Sequence, residues 1–111
     1  MNIWALDKDQ PIRHLLILLE AQLGKGRFTV DVHSRCDRQA VFIHQPDEPG
    51  LRAYLYTLGQ APDRYGVHLE YPAGNAAGNL LEVMENLPLS MLVETLAVHF
   101  DIPVIHPLPT R

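Results

Sequence analysis

Six histidines in a chain of 111 residues are the first place to look for chemistry. By strand parity His33, His44 and His68 share one face with Asp31 and Glu70. A three-ligand metal site needs side chains converging on one point, about 2.0–2.1 Å from the ion. His33 and His44 fall several residues apart along neighbouring strands, at ~3.3 Å per residue, and the sequence holds no His-x-His or His-x-x-x-His pair. No metal and no cofactor are therefore expected. Cys36 sits among Arg35, Arg38 and His33, and neighbouring cations favour a thiolate. A nucleophile also needs a positioned base and a third group to orient it, so the expectation is an ordinary turn cysteine. Ser34 and Ser90 lack the Gly-x-Ser-x-Gly setting of a hydrolase elbow. Pro72 to Asn79 is rich in glycine, but it has neither the Gly-x-Gly-x-x-Gly spacing nor the Lys-Ser/Thr of a phosphate-binding loop. It reads as a connector, with Asn75 or Asn79 capping a helix.

What survives is a surface. Phe42, His44, Arg52, Tyr54, Tyr56 and His68 alternate with apolar residues, so they gather on the face of a sheet opposite its core. An open face bearing aromatic rings and histidines suits a ligand or a protein contact. If it did acid–base chemistry, His68 and Glu70 would carry it, since histidine ordinarily titrates near neutrality.

The elements that position these residues follow from periodicity. Phe28, Val30 and Val32 alternate with Thr29, Asp31 and His33, the mark of a half-buried strand. A second strand, Ala40 to His44, pairs Val32 with Val41 and Val30 with Ile43, and Thr29 with His44, so that one face stays apolar. Turn residues from Gln45 to Gly50 lead to a third strand, Leu51 to Leu58. A turn around Pro62 and Asp63 leads to a fourth, Tyr65 to Tyr71, with His68 expected to face Tyr56 and Glu70 to face Tyr54. The connections are too short for parallel crossovers, so the four form an antiparallel meander.

Before the meander, Pro11 starts a helix that Gly24 and Gly26 stop. Its buried stripe is Ile12, Leu15, Leu16, Leu19 and Leu23. Ile17 and Leu18 lie off that stripe, under other helices or at an oligomer contact. After the meander, Leu80, Leu81, Val83, Met84 and Leu87 predict a short helix over 79–86, and Leu89 to Phe100 a second behind Pro88. Leu92 to Pro103 resembles the first half of a helix-turn-helix, but Pro107 and Pro109 forbid the helix that should follow.

The expected fold class is α+β: one N-terminal helix, a four-stranded antiparallel sheet, and two C-terminal helices packed on one face. The order resembles cystatin-like and secretion-chaperone-like small domains in outline, with no motif in common. Residues 1–102 form one domain, and 103–111 an extended proline-rich tail.

Composition narrows the function. A formal charge of −4 repels a nucleic-acid backbone. A single cysteine allows no internal disulfide and fits a reducing compartment. The apolar run Leu15 to Leu19 is far short of the ~18 residues of a membrane span, and Met1 to Asp7 lacks a signal peptide's pattern. A cytoplasmic protein without membrane or nucleic-acid partners is expected. The function expected from this is a non-enzymatic interaction module, an adaptor, chaperone or regulator of bacterial type, forming a homodimer. The competing expectation is a small-molecule-binding protein or simple acid–base enzyme with a pocket between sheet and helices, its polar groups Tyr54, Tyr56, His68 and Glu70.

Overall fold

The computed structural model describes residues 3–32, 37–72 and 81–108. A short 3-10 turn at Ile3–Ala5 precedes helix α1, Gln10–Leu23. Strands β1 (Thr29–Val30), β2 (Ala40–Gln45), β3 (Glu48–Tyr56), β4 (Tyr65–Glu70) and β5 (Leu81–Leu87) follow, then helix α2, Leu89–His99. The five strands make one antiparallel sheet in sequence order. Both helices lie on one of its faces, so the class is α+β.

The α1 stripe is buried as its spacing predicts: Ile12, Leu15, Leu16, Leu19 and Leu23 are its buried residues. They meet Val41, Ile43, Leu55, Val67 and Leu69 from the sheet and Leu92, Leu96 and Phe100 from α2 in one core. Ile17 packs against this core and Leu18 is half-buried. Helix α2 ends as Asp101 and Pro103 suggest. Asp101 takes a left-handed backbone (φ 56°), Ile102 N donates to Ala97 O at 2.8 Å, and Asp101 N to Val98 O at 3.3 Å. That is a Schellman ending, and its companion contact is the burial of Ile102.

Four expectations need correction. The segment read as a helix over 79–86 is strand β5 across its described part, so the described residues hold one C-terminal helix and a fifth strand. The reason lies in the spacing. Met84 pairs with Val67, but Leu87 pairs with Tyr65, so β5 spends one residue more than β4. This bulge, with Asn86 at φ 54°, turns both Met84 and Leu87 toward the core three residues apart. A bulged strand has counterfeited a helical period.

The β3–β4 register is shifted by two residues. Tyr54 pairs with His68, Arg52 with Glu70, and Tyr56 with Gly66. Parity is kept, but the neighbours change. The register is fixed where the Tyr56 ring lies over Gly66; a Cβ there would clash with the ring carbons of Tyr56. Only a glycine accepts the ring in that place.

The first strand is two residues long rather than six. Thr29 does face His44 and Val30 faces Ile43, and Asp31 N still donates to Phe42 O at 2.9 Å. Val32 then leaves the sheet and is 57% exposed instead of pairing with Val41. The chain returning to β2 is tied elsewhere, because Asp9 N donates to Arg38 O at 3.0 Å and holds that turn against the start of α1. Finally, the β2–β3 turn is shorter than expected: β3 begins at Glu48 rather than Leu51, with an irregularity at His44/Gln45.

Beyond α2, residues 103–108 have no regular secondary structure, and His106 N donates to Gln22 O of α1 at 2.7 Å. Among the described residues no helix is long and apolar enough to cross a membrane.

Candidate functional site

With both helices on one side, the opposite face of the sheet carries the residues singled out by parity. Strand β2 supplies Phe42, β3 supplies Arg52, Tyr54 and Tyr56, and β4 supplies His68 and Glu70. The rings form a connected patch. Phe42 and Tyr54 have centroids 4.8 Å apart, Tyr54 and Tyr56 5.5 Å, and Tyr54 and His68 5.5 Å. Tyr56 meets His68 edge-on at 5.2 Å. Each such pair adds about 0.5–1.5 kcal/mol beyond burial. They are the cross-strand and diagonal neighbours that an antiparallel pairing brings together.

The patch is polar at its two ends. At one end the Arg52 guanidinium stands 4.2 Å over the Phe42 ring. Its Nε donates to Glu70 Oε1 at 2.6 Å, and Nη1 lies 4.0 Å from Asp31 Oδ2. This end is thus fixed by an ion cluster of β3, β4 and the residue after β1, with a cation–π contact. At the other end Tyr56, only 9% exposed, hydrogen-bonds Glu85 of β5. Glu85 also accepts from Gln60 Nε2 at 2.9 Å. Burial, then the Glu85 bond, pushes the Tyr56 phenol up to about 12. The phenol is therefore a fixed donor at neutral pH and not a base.

Of the predicted residues, Phe42, Arg52, Tyr54, Tyr56 and His68 come together. His44 does not join the rings. It pairs with Arg52 along the backbone, and its Nδ1 contacts Gln45 O at 2.9 Å. Glu70 is engaged by Arg52 rather than by His68. The pocket expected between sheet and helices cannot be built from Tyr54, Tyr56, His68 and Glu70, because these lie on the face away from the helices. A cavity of about 610 Å³ does open beside the start of α1, but its walls are Gln10, His14, Gln39, Arg64 and their neighbours. Among the described residues no three His, Cys, Asp or Glu side chains group as metal ligands. His33, Ser34 and Cys36, and the Gly74–Gly78 loop, lie outside the described residues.

Sequence reasoning missed a second region, where β5 meets α2. His99 is 8% exposed, and its Nε2 lies 2.9 Å from Arg52 O. Its ring meets Tyr71 edge-on at 4.9 Å. Tyr71 in turn donates its hydroxyl to Glu82 Oε1 at 2.6 Å. Burial lowers the His99 pKa against the pull of its hydrogen bonds and of Glu82. The signal was present: His99 lies seven residues after Leu92 and three after Leu96, on the buried stripe of its helix. The Glu82 half was hidden by reading β5 as a helix.

No family model, curated protein or solved structure matches this chain. The site therefore rests on its own geometry.

Proposed function

We propose that the protein is a non-enzymatic interaction module that self-associates through its aromatic sheet face. The observation that carries this reading is the connected patch of Phe42, Tyr54, Tyr56 and His68 on a face that neither helix covers. Partly exposed aromatic rings such as Phe42, Tyr54 and His68 are what the centres of protein interfaces contain. The occupant best suited to it is a second copy. The two ends of the patch differ, the Arg52–Glu70–Asp31 ion cluster at one and Glu85 at the other. A two-fold axis running across the strands stacks sheet on sheet with the strand ends exchanged. Rings then meet rings, and each Arg52 approaches the partner copy's acidic end. Such stacking has room to bury the roughly 1,200–2,000 Å² of a specific interface.

The test is the oligomeric state in solution by analytical ultracentrifugation. Wild-type protein should sediment as a dimer at micromolar concentration, and Tyr54→Lys as a folded monomer. Leu18→Glu, on the outer side of α1, should leave the dimer intact. A wild-type monomer at ~100 µM, or a Tyr54→Lys dimer, would sink the proposal. Conversion of Leu18→Glu alone to monomer would move the interface to the helices.

A further inference from the structure

Strand β5 closes one side of the sheet, and no strand among the described residues lies beyond it. The opposite margin, β1, is two residues long; β5 is seven. Gln60 and Ala61 hydrogen-bond Glu85 and Asn86 and cover the far end of β5; the rest of this edge is a template for another chain, and natural proteins blunt such edges with charge. Here the charge is all acidic: Glu82 and Glu85 stand on β5, and Glu94 of α2 shares a groove with Glu82. Among the described residues no lysine or arginine lies within ion-pair distance of any of the three.

A groove of about 340 Å³ runs between this edge and α2. Its apolar part is Leu69, Met84 and Val98, the last 84% exposed. Its polar part is chiefly acidic, with the Thr95 hydroxyl beside it. Glu82 and Glu94 are carboxylates, and the Tyr71 hydroxyl is already spent on Glu82. His99 also lines the groove. Its Nε2 faces a carbonyl oxygen, which can only accept, so the proton resides on Nε2 and Nδ1 holds a lone pair. Nδ1 has no hydrogen-bond partner among the described residues. Two carboxylates with no cation beside them among the described residues, an apolar wall and a strand edge call for an extended chain that brings positive charge.

We propose that the β5 edge and the β5–α2 groove bind an extended basic segment of a partner protein, added to the sheet as a further strand. Backbone hydrogen bonds to β5 give the affinity. Specificity comes from the groove: a lysine or arginine sits between Glu82 and Glu94, and an apolar side chain two residues along the same strand face rests on Met84 and Val98. This surface is separate from the aromatic face and does not depend on it.

The probe is an eight-residue synthetic peptide alternating lysine and valine, with a glutamate–valine peptide as control. Amide signals of full-length protein are followed by NMR, with hydrogen exchange at β5. The lysine peptide should bind more weakly as salt rises, slow exchange along β5, and leave Phe42 and Tyr54 amides unshifted. The variant Glu82→Lys/Glu94→Lys alters exposed side chains and should stay folded. It should lose at least about tenfold in affinity for the lysine peptide and gain the glutamate peptide instead. Unchanged affinity in that variant, or binding without protection of β5, would overturn the proposal. So would β5 protection that rises with protein concentration in the absence of peptide, which would give the edge to a second copy.

Discussion

The two faces of β3 and β4 are built from the same ten or so residues taken alternately, yet they obey different rules. Toward the helices stand Ala53, Leu55, Val67 and Leu69, at most 4% exposed. Away from them stand Arg52, Tyr54, His68 and Glu70, all partly exposed and tied to one another by rings and an ion cluster. The inner face is held by volume, because each side chain fills a place that nothing else can fill. The outer face is held by pairwise contacts that leave Phe42, Tyr54 and His68 partly in water. Stability should therefore reside on the inner face and recognition on the outer one.

The sharpest way to break that comparison is a pair of truncations on adjacent residues of β3. Leu55→Ala opens a cavity in a fully buried place and should cost about 3–4 kcal/mol in urea unfolding. Tyr54→Ala, one residue away, should cost about 1 kcal/mol, since only ring contacts are lost. Equal costs would mean that the outer face is part of the core. Gly66→Ala comes next. It adds one methyl on the outer face, and should still cost about 2 kcal/mol because that methyl falls on the Tyr56 ring. Restoration of stability in Gly66→Ala/Tyr56→Ala, relative to Gly66→Ala alone, would locate the cost in that clash.

The smallest effects are those of pH, and they have opposite signs on the two faces. Tyr56 has a raised pKa in the fold, so the unfolded chain loses the proton first as pH climbs. Its contribution is whole below pH ~10 and fades toward about 12, by of order 1 kcal/mol. His99, on the helix side, has a lowered pKa, so the unfolded chain gains the proton first as pH falls. Its contribution is whole above pH ~6.5 and fades on acidification below it. Melting temperatures across both ranges, for wild type, Tyr56→Phe and His99→Gln, separate the two. Tyr56→Phe should flatten only the alkaline limb, and His99→Gln only the acid limb.

Much of this architecture was legible because it is local. The α1 stripe needs only the 3.6-residue period, and its five members are the residues that are buried. The outer-face membership of Phe42, Tyr54, Tyr56 and His68 needs only the two-residue period of a strand, and a register error of two residues left it untouched. Where two periods met, local reading failed. Met84 and Leu87 share a face three residues apart, as in a helix, only because a bulge at Asn86 lets a strand do the same.

By itself, then, the sequence determined which side of each element is apolar, where α1 and α2 begin and end, and which side chains the sheet turns outward. Those are consequences of backbone geometry and of glycine and proline, which act within a few residues. Tertiary structure decided the rest. β4 needed a neighbour for its backbone groups, so 81–87 became a strand and not a helix. Gly66 had to lie under Tyr56, so Tyr54 and not Tyr56 faces His68. And both helices settled on one side of the sheet, which joined Glu82 and Glu94 across a groove and left the rings uncovered on the other side. Pairings of this kind join residues far apart in the chain, and only the folded whole can choose between partners that local pattern treats as equal.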